Sequence, residues 1–387
     1  MIETILVLLI AGGSLYQLFS LFCIVSFFGP GITAQEEDTA LPAVSLLKPL
    51  CGTDPELEKN IRSFCDQDYP EYEVLLGFTD PDDSGLPVAR EHARSPECML
   101  RVVVSSGTLG TNRKVSNLQG LAEAAQYPLL AISDSDMRAE RTYLRRIIEE
   151  YRAGRRRGSN VGLVTSLYKI SDPRTPGAAL ESLTLALDFI PAVLAVERME
   201  GVTFGLGASM LLSKQALEEV GGFPAIANHL ADDYQIGNRL SKKGYAVVLS
   251  KYVLEDIAGP MRIDDHVTHQ LRWARTYRAC RPKGYWGYGV TYIVPLALLL
   301  LAVEGPTPRA LLLFGGTLAL RLLTAFAVYR RIIRAQRWLR WLPLIPLKDI
   351  LSFGIWFRSL WGNTVRWRGA TFRVVKDGLI EPLPERR

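Results

Sequence analysis

Apolar positions recur along this chain in two patterns. Long unbroken runs lie toward both ends, and short runs parted by polar turns fill the middle. Ile5 to Phe28 carries no charged side chain and is long enough to cross a bilayer as a helix, predicted over 5–28. A cleaved signal peptide fits less well, because Met1-Ile2-Glu3 lacks a basic start and no small-x-small cleavage site follows closely. Trp286 to Val303 and Ala310 to Tyr329 predict two more membrane helices, 286–303 and 310–329, with Arg321 their single charge. Leu342 to Leu360 is a fourth apolar stretch but contains Lys348, Asp349 and Arg358. A charge at mid-bilayer costs about 2.5–3.5 kcal/mol on insertion scales, so 342–362 is expected to be interfacial or re-entrant, with 363–387 a cytoplasmic tail.

Between the first two long runs, short apolar segments alternate with helical ones. Ala43 to Leu47, Tyr72 to Phe78, Leu100 to Val104, Leu129 to Ile132 and Val161 to Thr165 have the length and turn flanks of strands. Arg113 to Ala125, Arg141 to Tyr151 and Leu230 to Lys242 read as helices, and Asp54-Pro55 reads as a helix start, Asp capping and Pro in the first position. The alternation implies an α/β domain over 35–285, a mostly parallel sheet with helices on both faces. Ligands of such sheets bind beyond the carboxyl ends of the strands. Asp80, Asp83, Asp134 and Asp136 all fall there. No GxGxxG follows the first strand and no GxxxxGK[ST] occurs, which argues against a dinucleotide oxidoreductase and a P-loop hydrolase.

Basic residues set the expected orientation. Arg272, Arg275, Arg278, Arg281 and Lys283 precede the second apolar run; Arg330, Arg331, Arg334, Arg337 and Arg340 follow the third. By the positive-inside rule the domain over 35–285 and the basic tail face the cytoplasm of a cell (inner) membrane. The net charge of +5 is modest, the arginines suit anionic headgroups, and no basic-aromatic pattern asks for nucleic acid. Five cysteines, widely spaced and without CxxC, read as reduced thiols.

Each candidate motif has a plainer reading. Asp134-Ser135-Asp136 after a buried strand is either an ordinary turn or two carboxylates for Mg²⁺ or Mn²⁺, which favour few carboxylates plus phosphate oxygens and water. Asp232-Asp233 is either an acidic first turn complementing a helix dipole or the place of a general base, and chemistry alone does not choose between the two acids. His269, Arg272 and Trp273 share one helix face, as an amphipathic surface helix or as a phosphate clamp beside an aromatic platform. Lys114, near Asn112 and Asn117 at a helix start, is a solvated charge or a phosphate contact. Phe204 to Ser209 is small and flexible, suited to a close approach or a tight strand crossing.

Together these positions resemble the ceramide glucosyltransferase family and its bacterial relatives, including hopanoid-biosynthesis-associated glycosyltransferases. That family has three aspartate motifs and a (Q/R)xxRW motif. Asp80-Pro81-Asp82-Asp83, Asp134-Ser135-Asp136, Asp233 and His269-Gln270-Leu271-Arg272-Trp273 match them in order. The likeness begins at Val44-Ser45-Leu46-Leu47-Lys48-Pro49-Leu50, runs to about Arg281 and returns at Trp361 to Phe372. His269 departs from the usual Gln or Arg, which bears on the acceptor lipid more than on the reaction. The resemblance implies a GT-A fold, an inverting mechanism and a UDP-sugar donor such as UDP-glucose or UDP-N-acetylglucosamine. Asp80, Asp83, Lys114 and Asn117 would then contact the nucleotide sugar, and Asp134 and Asp136 would hold metal and diphosphate. Asp233 would take the proton of a membrane-lipid hydroxyl, and His269, Arg272 and Trp273 would serve the diphosphate and acceptor. A processive polysaccharide synthase would need more membrane spans than these, and a non-catalytic membrane scaffold would not need the full motif set. Sugar, acceptor lipid and oligomeric state stay open.

Overall fold

Successive strand residues go to opposite hydrophobic cores. The computed structural model describes residues 1–29, 41–94 and 98–384, so the expected domain start at 35–40 and the tail end at 385–387 lie outside the described residues. β1 (Val44–Pro49) pairs in parallel with β2 (Tyr72–Phe78), and β2 in parallel with β3 (Leu100–Val104). β4 (Leu129–Ile132) is parallel to β1 on its other side. Val44, Leu46, Val74, Leu76 and Ala131 enter one buried cluster; Leu47, Leu75, Leu130 and Ile132 enter the other. That period of two, apolar on both faces, produces the short continuous runs seen in the sequence. Leu57–Cys65, Leu86–His92 and Tyr143–Arg156 cover the first face, Arg113–Ala124 and Asp232–Lys242 the second.

β5 (Met137–Arg138), β6 (Val161–Lys169), β7 (Met210–Ser213) and β8 (Ala246–Asp256) complete an eight-stranded sheet ordered β3-β2-β1-β4-β7-β6-β8-β5. β7 is antiparallel to β4 and β6, and β5 to β8, so the parallel part lies on one side of the sheet. The chain leaves β1 toward β2 and later returns to β1's other edge as β4. The crevice beyond β1 and β4 is therefore the topological switch point, where ligands of such sheets bind.

Two expectations about the sheet-bearing region need correction. Asp54 does not cap a helix; the helix starts at Leu57 after Glu56 takes a left-handed turn (φ 54°), and the Asp54 carboxylate accepts instead from Ser135 Oγ. Cys65, at the end of that helix, is disulfide-bonded to Cys98 with Cα atoms 5.3 Å apart, so the free-thiol reading holds for Cys23, Cys51 and Cys280. Spacing alone, a separation of 33 residues, does not signal the pair.

The chain divides into two compact units, one over 31–168 and 201–259 holding this sheet, the other over 1–30, 169–200 and 260–387. The second unit is mainly helical. Ile2–Phe27 and Pro308–Ile333 are each 26 residues and apolar, about 39 Å long at 1.5 Å per residue, enough to cross a bilayer core. Trp286 to Val303, expected as one helix, is instead part of a pair, Pro282–Thr291 and Ile293–Glu304, bent by 57°. Tyr292 leaves helical geometry at the break (φ −83°, ψ 63°), and Pro295 three residues on has no N–H to bond backward across it. Pro176–Met199 is also long and apolar enough to cross, but 78% of its apolar 18-residue window is buried inside the protein. The expected basic tail contains an antiparallel sheet of β9 (Thr364–Trp367), β10 (Ala370–Val374) and β11 (Ile380–Pro382).

Candidate active site

Beyond the carboxyl ends of β1 and β4, charged side chains gather around one glycine. Lys48 is completely buried at the end of β1, and its Nζ donates to the Asp134 carbonyl at 2.7 Å. The turn after β4 aims Asp134 and Asp136 past the strand end. Lys114, in the first turn of Arg113–Ala124, stands 2.6 Å from Asp134 Oδ1 and 3.3 Å from Asp232 Oδ2. Asn112 fixes that helix start: its Oδ1 accepts from Val115 N at 3.2 Å and its Nδ2 donates to the His229 carbonyl at 2.8 Å. Asp233 opens Asp232–Lys242; its Oδ2 accepts from Gly207 N at 2.8 Å and its Oδ1 from Tyr234 N at 2.7 Å. The helix comes this close because Gly237 has no side chain, and a Cβ there would lie 2.2 Å from Gly205 N.

Gly207 is the centre. A Cβ on it would lie 2.8 Å from Asp134 Oδ2, 3.2 Å from Lys114 Nζ and 3.3 Å from Asp233 Oδ2. The small Phe204 to Ser209 stretch is thus a close approach to three charged groups. Gly207→Ala should push these groups apart and lower any activity of the site at least tenfold with little change in unfolding temperature. Kinetics beside a thermal scan check this, and wild-type activity in the alanine variant would contradict the crowding.

The charges perturb one another. Burial, with Asp134 and Asp54 nearby, raises Asp136 to about 6 against the pull of Lys48. Burial and Asp232 likewise raise Asp233 to about 6, against Lys114 and the Tyr234 N–H. Burial lowers Lys48 to about 7 even though Asp136, Asp134 and Asp54 favour its charge. For Lys114 burial opposes the charge too, but Asp134, Asp232 and Asp233 outweigh it and hold the ammonium above the usual lysine range. Buried groups pushed in opposite directions at one set of strand ends make these residues the candidate acid–base site.

The residues fit a divalent cation. Asp54, Asp134, Asp136, Asp232 and Asp233 outnumber Lys48 and Lys114, leaving negative charge to offset. Asp136 Oδ1 is buried without a hydrogen-bond partner. Among the described residues no group of three or more His, Cys, Asp or Glu is placed to hold a metal ion by itself. Two carboxylates with the remaining positions left to phosphate and water is what Mg²⁺ and Mn²⁺ accept.

Other predicted residues have structural employment. The Asp83 carboxylate accepts from Gly52 N at 2.9 and 3.0 Å and Gly85 N at 2.8 Å, tying the loops after β1 and β2 together. Asp80 is exposed, with Oδ1 accepting from Asp82 N at 2.9 Å. Asn117 Nδ2 donates to the Gly77 and Leu50 carbonyls at 2.8 and 3.2 Å. His269, Arg272 and Trp273 lie on Ile263–Cys280 in the helical unit, the His269 and Trp273 rings 4.9 Å apart and Trp273 5.8 Å from Phe189. Sequence reasoning missed Lys48, whose one signal is a lysine at the end of an apolar strand.

The sequence model of Glycosyl transferase family 21 matches residues 5–380. The chain belongs to glycosyl transferase family 21. Its enzyme class is accordingly that of a glycosyltransferase. Ceramide glucosyltransferase 3 of Caenorhabditis elegans is 28% identical over 250 residues, 64% of this chain and 53% of that protein. Ceramide glucosyltransferase of Komagataella phaffii is 33% identical over 99 residues, 24% of this chain and 19% of that protein. The chain spans about half the length of the Caenorhabditis elegans relatives it matches. Among solved structures, the mannosyltransferase PcManGT from Pyrobaculum calidifontis, in complex with GDP-Man and Mn²⁺, superposes with a TM-score of 0.59 at 18% identity, covering 93% of this chain and 99% of that one. That likeness establishes the GT-A-like fold of this family 21 chain.

Proposed function

We propose that the protein transfers a hexose or N-acetylhexosamine from a UDP-sugar to a lipid hydroxyl with inversion, giving a β-glycolipid on a ceramide-type or hopanoid-type acceptor. The convergence of Asp134, Lys114 and Asp233 on Gly207, beyond the strand ends of a GT-A-like sheet, carries the reading. Helices long enough to cross a bilayer and the ceramide glucosyltransferase relatives support a lipid acceptor.

The acceptor oxygen attacks the anomeric carbon while the bond from that carbon to the diphosphate oxygen breaks. Asp233, pinned by two backbone N–H groups, receives the acceptor proton on whichever oxygen faces the hydroxyl. Asp134 and Asp136 are the residues that would hold a divalent cation, which when bound supplies Lewis-acid stabilisation of the leaving diphosphate. Lys114 keeps its positive charge beside Asp134 and adds to the field that the leaving group meets. Lys48 holds the Asp134 turn from beneath through its carbonyl. His269, Arg272 and Trp273, on Ile263–Cys280, would serve the diphosphate and acceptor, as the likeness to the family's (Q/R)xxRW motif implies. By the positive-inside rule the sheet unit faces the cytoplasm.

The test is UDP release by the full chain in detergent. Release should need lipid and UDP-sugar together, stop on chelation and return with Mn²⁺ or Mg²⁺. Release without any acceptor lipid overturns the reading, and a long polymeric product reassigns the chain as a polysaccharide synthase.

A further inference from the structure

One buried carboxylate grips the helix that carries His269, Arg272 and Trp273. Glu181 lies on Pro176–Thr184 and is 3% exposed. Its Oε2 is 2.7 Å from His266 Nδ1 and its Oε1 is 3.0 Å from His269 Nδ1. Gln270 Nε2 also donates to Oε1, at 2.8 Å. All three partners sit within five residues on Ile263–Cys280, at the i, i+3 and i+4 spacing of one face. Further along the same buried stretch Phe189 packs on Trp273, whose ring also meets His269. The other side of the helix is held separately: Arg275 donates to the Trp361 and Thr364 carbonyls, and Arg278 to those of Ser359 and Gly362.

Burying an ionised carboxylate costs several kcal/mol unless its hydrogen bonds are filled. An apolar side chain would pack Pro176–Thr184 without that cost, so packing alone does not account for an acid here. An ionised carboxylate is acceptor-only, so both histidines must present Nδ1–H to it. Nε2 is then the ring nitrogen of His269 that this carboxylate does not hold, on a side chain 29% exposed, whereas His266 is fully buried. A carboxylate that fixes tautomer and ring plane is how proteins orient a working imidazole.

We infer that Glu181 is a positioning residue for transfer: it sets the tautomer and orientation of His269, and through it the His269–Trp273 face. This rests on the lipid-glycosylation reading above. The test compares Glu181→Gln, Glu181→Asp, His269→Ala and the Glu181→Gln/His269→Ala pair in the full chain in detergent. The glutamine variant should lose about 10–100-fold in kcat, the usual range for an orienting partner. Its UDP-sugar KM and unfolding temperature should stay near wild type. Aspartate, keeping the charge, should restore part of the rate. The pair should be no slower than the slower single variant, because both changes remove one interaction. Losses that multiply in the pair, or full kcat in the glutamine variant, overturn the inference. A separate readout uses ¹⁵N-labelled histidine: wild type should show His269 as the Nδ1–H form, and the glutamine variant should shift that resonance. An unchanged resonance also overturns it. If the wild type transfers no sugar to lipid, the function proposed above fails, and the ¹⁵N measurement still decides the role of Glu181.

Discussion

Replacing Asp233 by asparagine should cut glycosyl transfer roughly 10²–10⁴-fold, the range for loss of a general base. The carboxylate accepts from Gly207 N and Tyr234 N. An asparagine oxygen can keep one of those bonds, so nucleotide-sugar affinity and unfolding temperature should change little compared with the rate. The pH profile supplies an independent mark. Asp233 is raised to about 6 by burial and Asp232, with Lys114 opposing and Asp134 adding to the rise. A base must be deprotonated to act, so kcat should be flat above about pH 6 and fall about tenfold per unit below it. Asp136, raised to about 6 as well, adds to the same limb, so the rate loss in the asparagine variant is the deciding readout. Full turnover by Asp233→Asn removes Asp233 from the role and turns attention to Asp232, which is more deeply buried and ion-paired with Lys114.

Tyr72 to Phe78, Leu100 to Val104 and Leu129 to Ile132 were legible as strands to the residue because a sheet buried on both faces needs unbroken apolar runs between polar turns. β8 was not, since Ser250 and Lys251 interrupt its apolar run. The strands at 364–382 were hidden behind arginines that alternate with apolar residues in what looks like a basic tail. Among site residues, Asp134 and Asp136 were visible because they follow a strand at the ligand-binding end of the sheet, although Asp83 in a like place ties loops together. Lys48 and Glu181 were not visible, because each is one charge in an apolar run whose partners lie 86 and 85–89 residues away. Sequence shows that such a charge exists; the partner that makes it functional appears on folding. The same holds for Lys348 and Asp349, which argued for an interfacial segment when counted as isolated charges.

Exchanging Arg321 for methionine should therefore destabilise the protein by about 3–5 kcal/mol, the cost of leaving a buried charge uncompensated. Arg321 lies within an apolar helix yet is 2% exposed. Its Nε donates to Asp349 Oδ2 at 2.9 Å, Nη2 to Asp188 Oδ1 at 2.7 Å and Nη1 to the Leu187 carbonyl at 2.9 Å. Lys348 Nζ is 2.7 Å from Asp188 and 2.6 Å from Asp349. The group is two cations and two anions, neutral as a whole, so each buried charge has a partner of opposite sign. Removing Arg321 leaves two carboxylates sharing one ammonium. Arg321→Met/Asp349→Leu removes one charge of each sign, leaves the Lys348–Asp188 pair intact, and should recover much of the loss. Unfolding midpoints in detergent would check both variants. If the double variant were as unstable as the single, the cost would lie in lost packing and not in charge. Asp188 belongs to the π-helical turn Leu185–Phe189, and Phe189 of that turn meets Trp273. The single variant should accordingly also lower transfer at temperatures where it is still folded, because the quartet holds the turn from which Phe189 supports the Trp273 face.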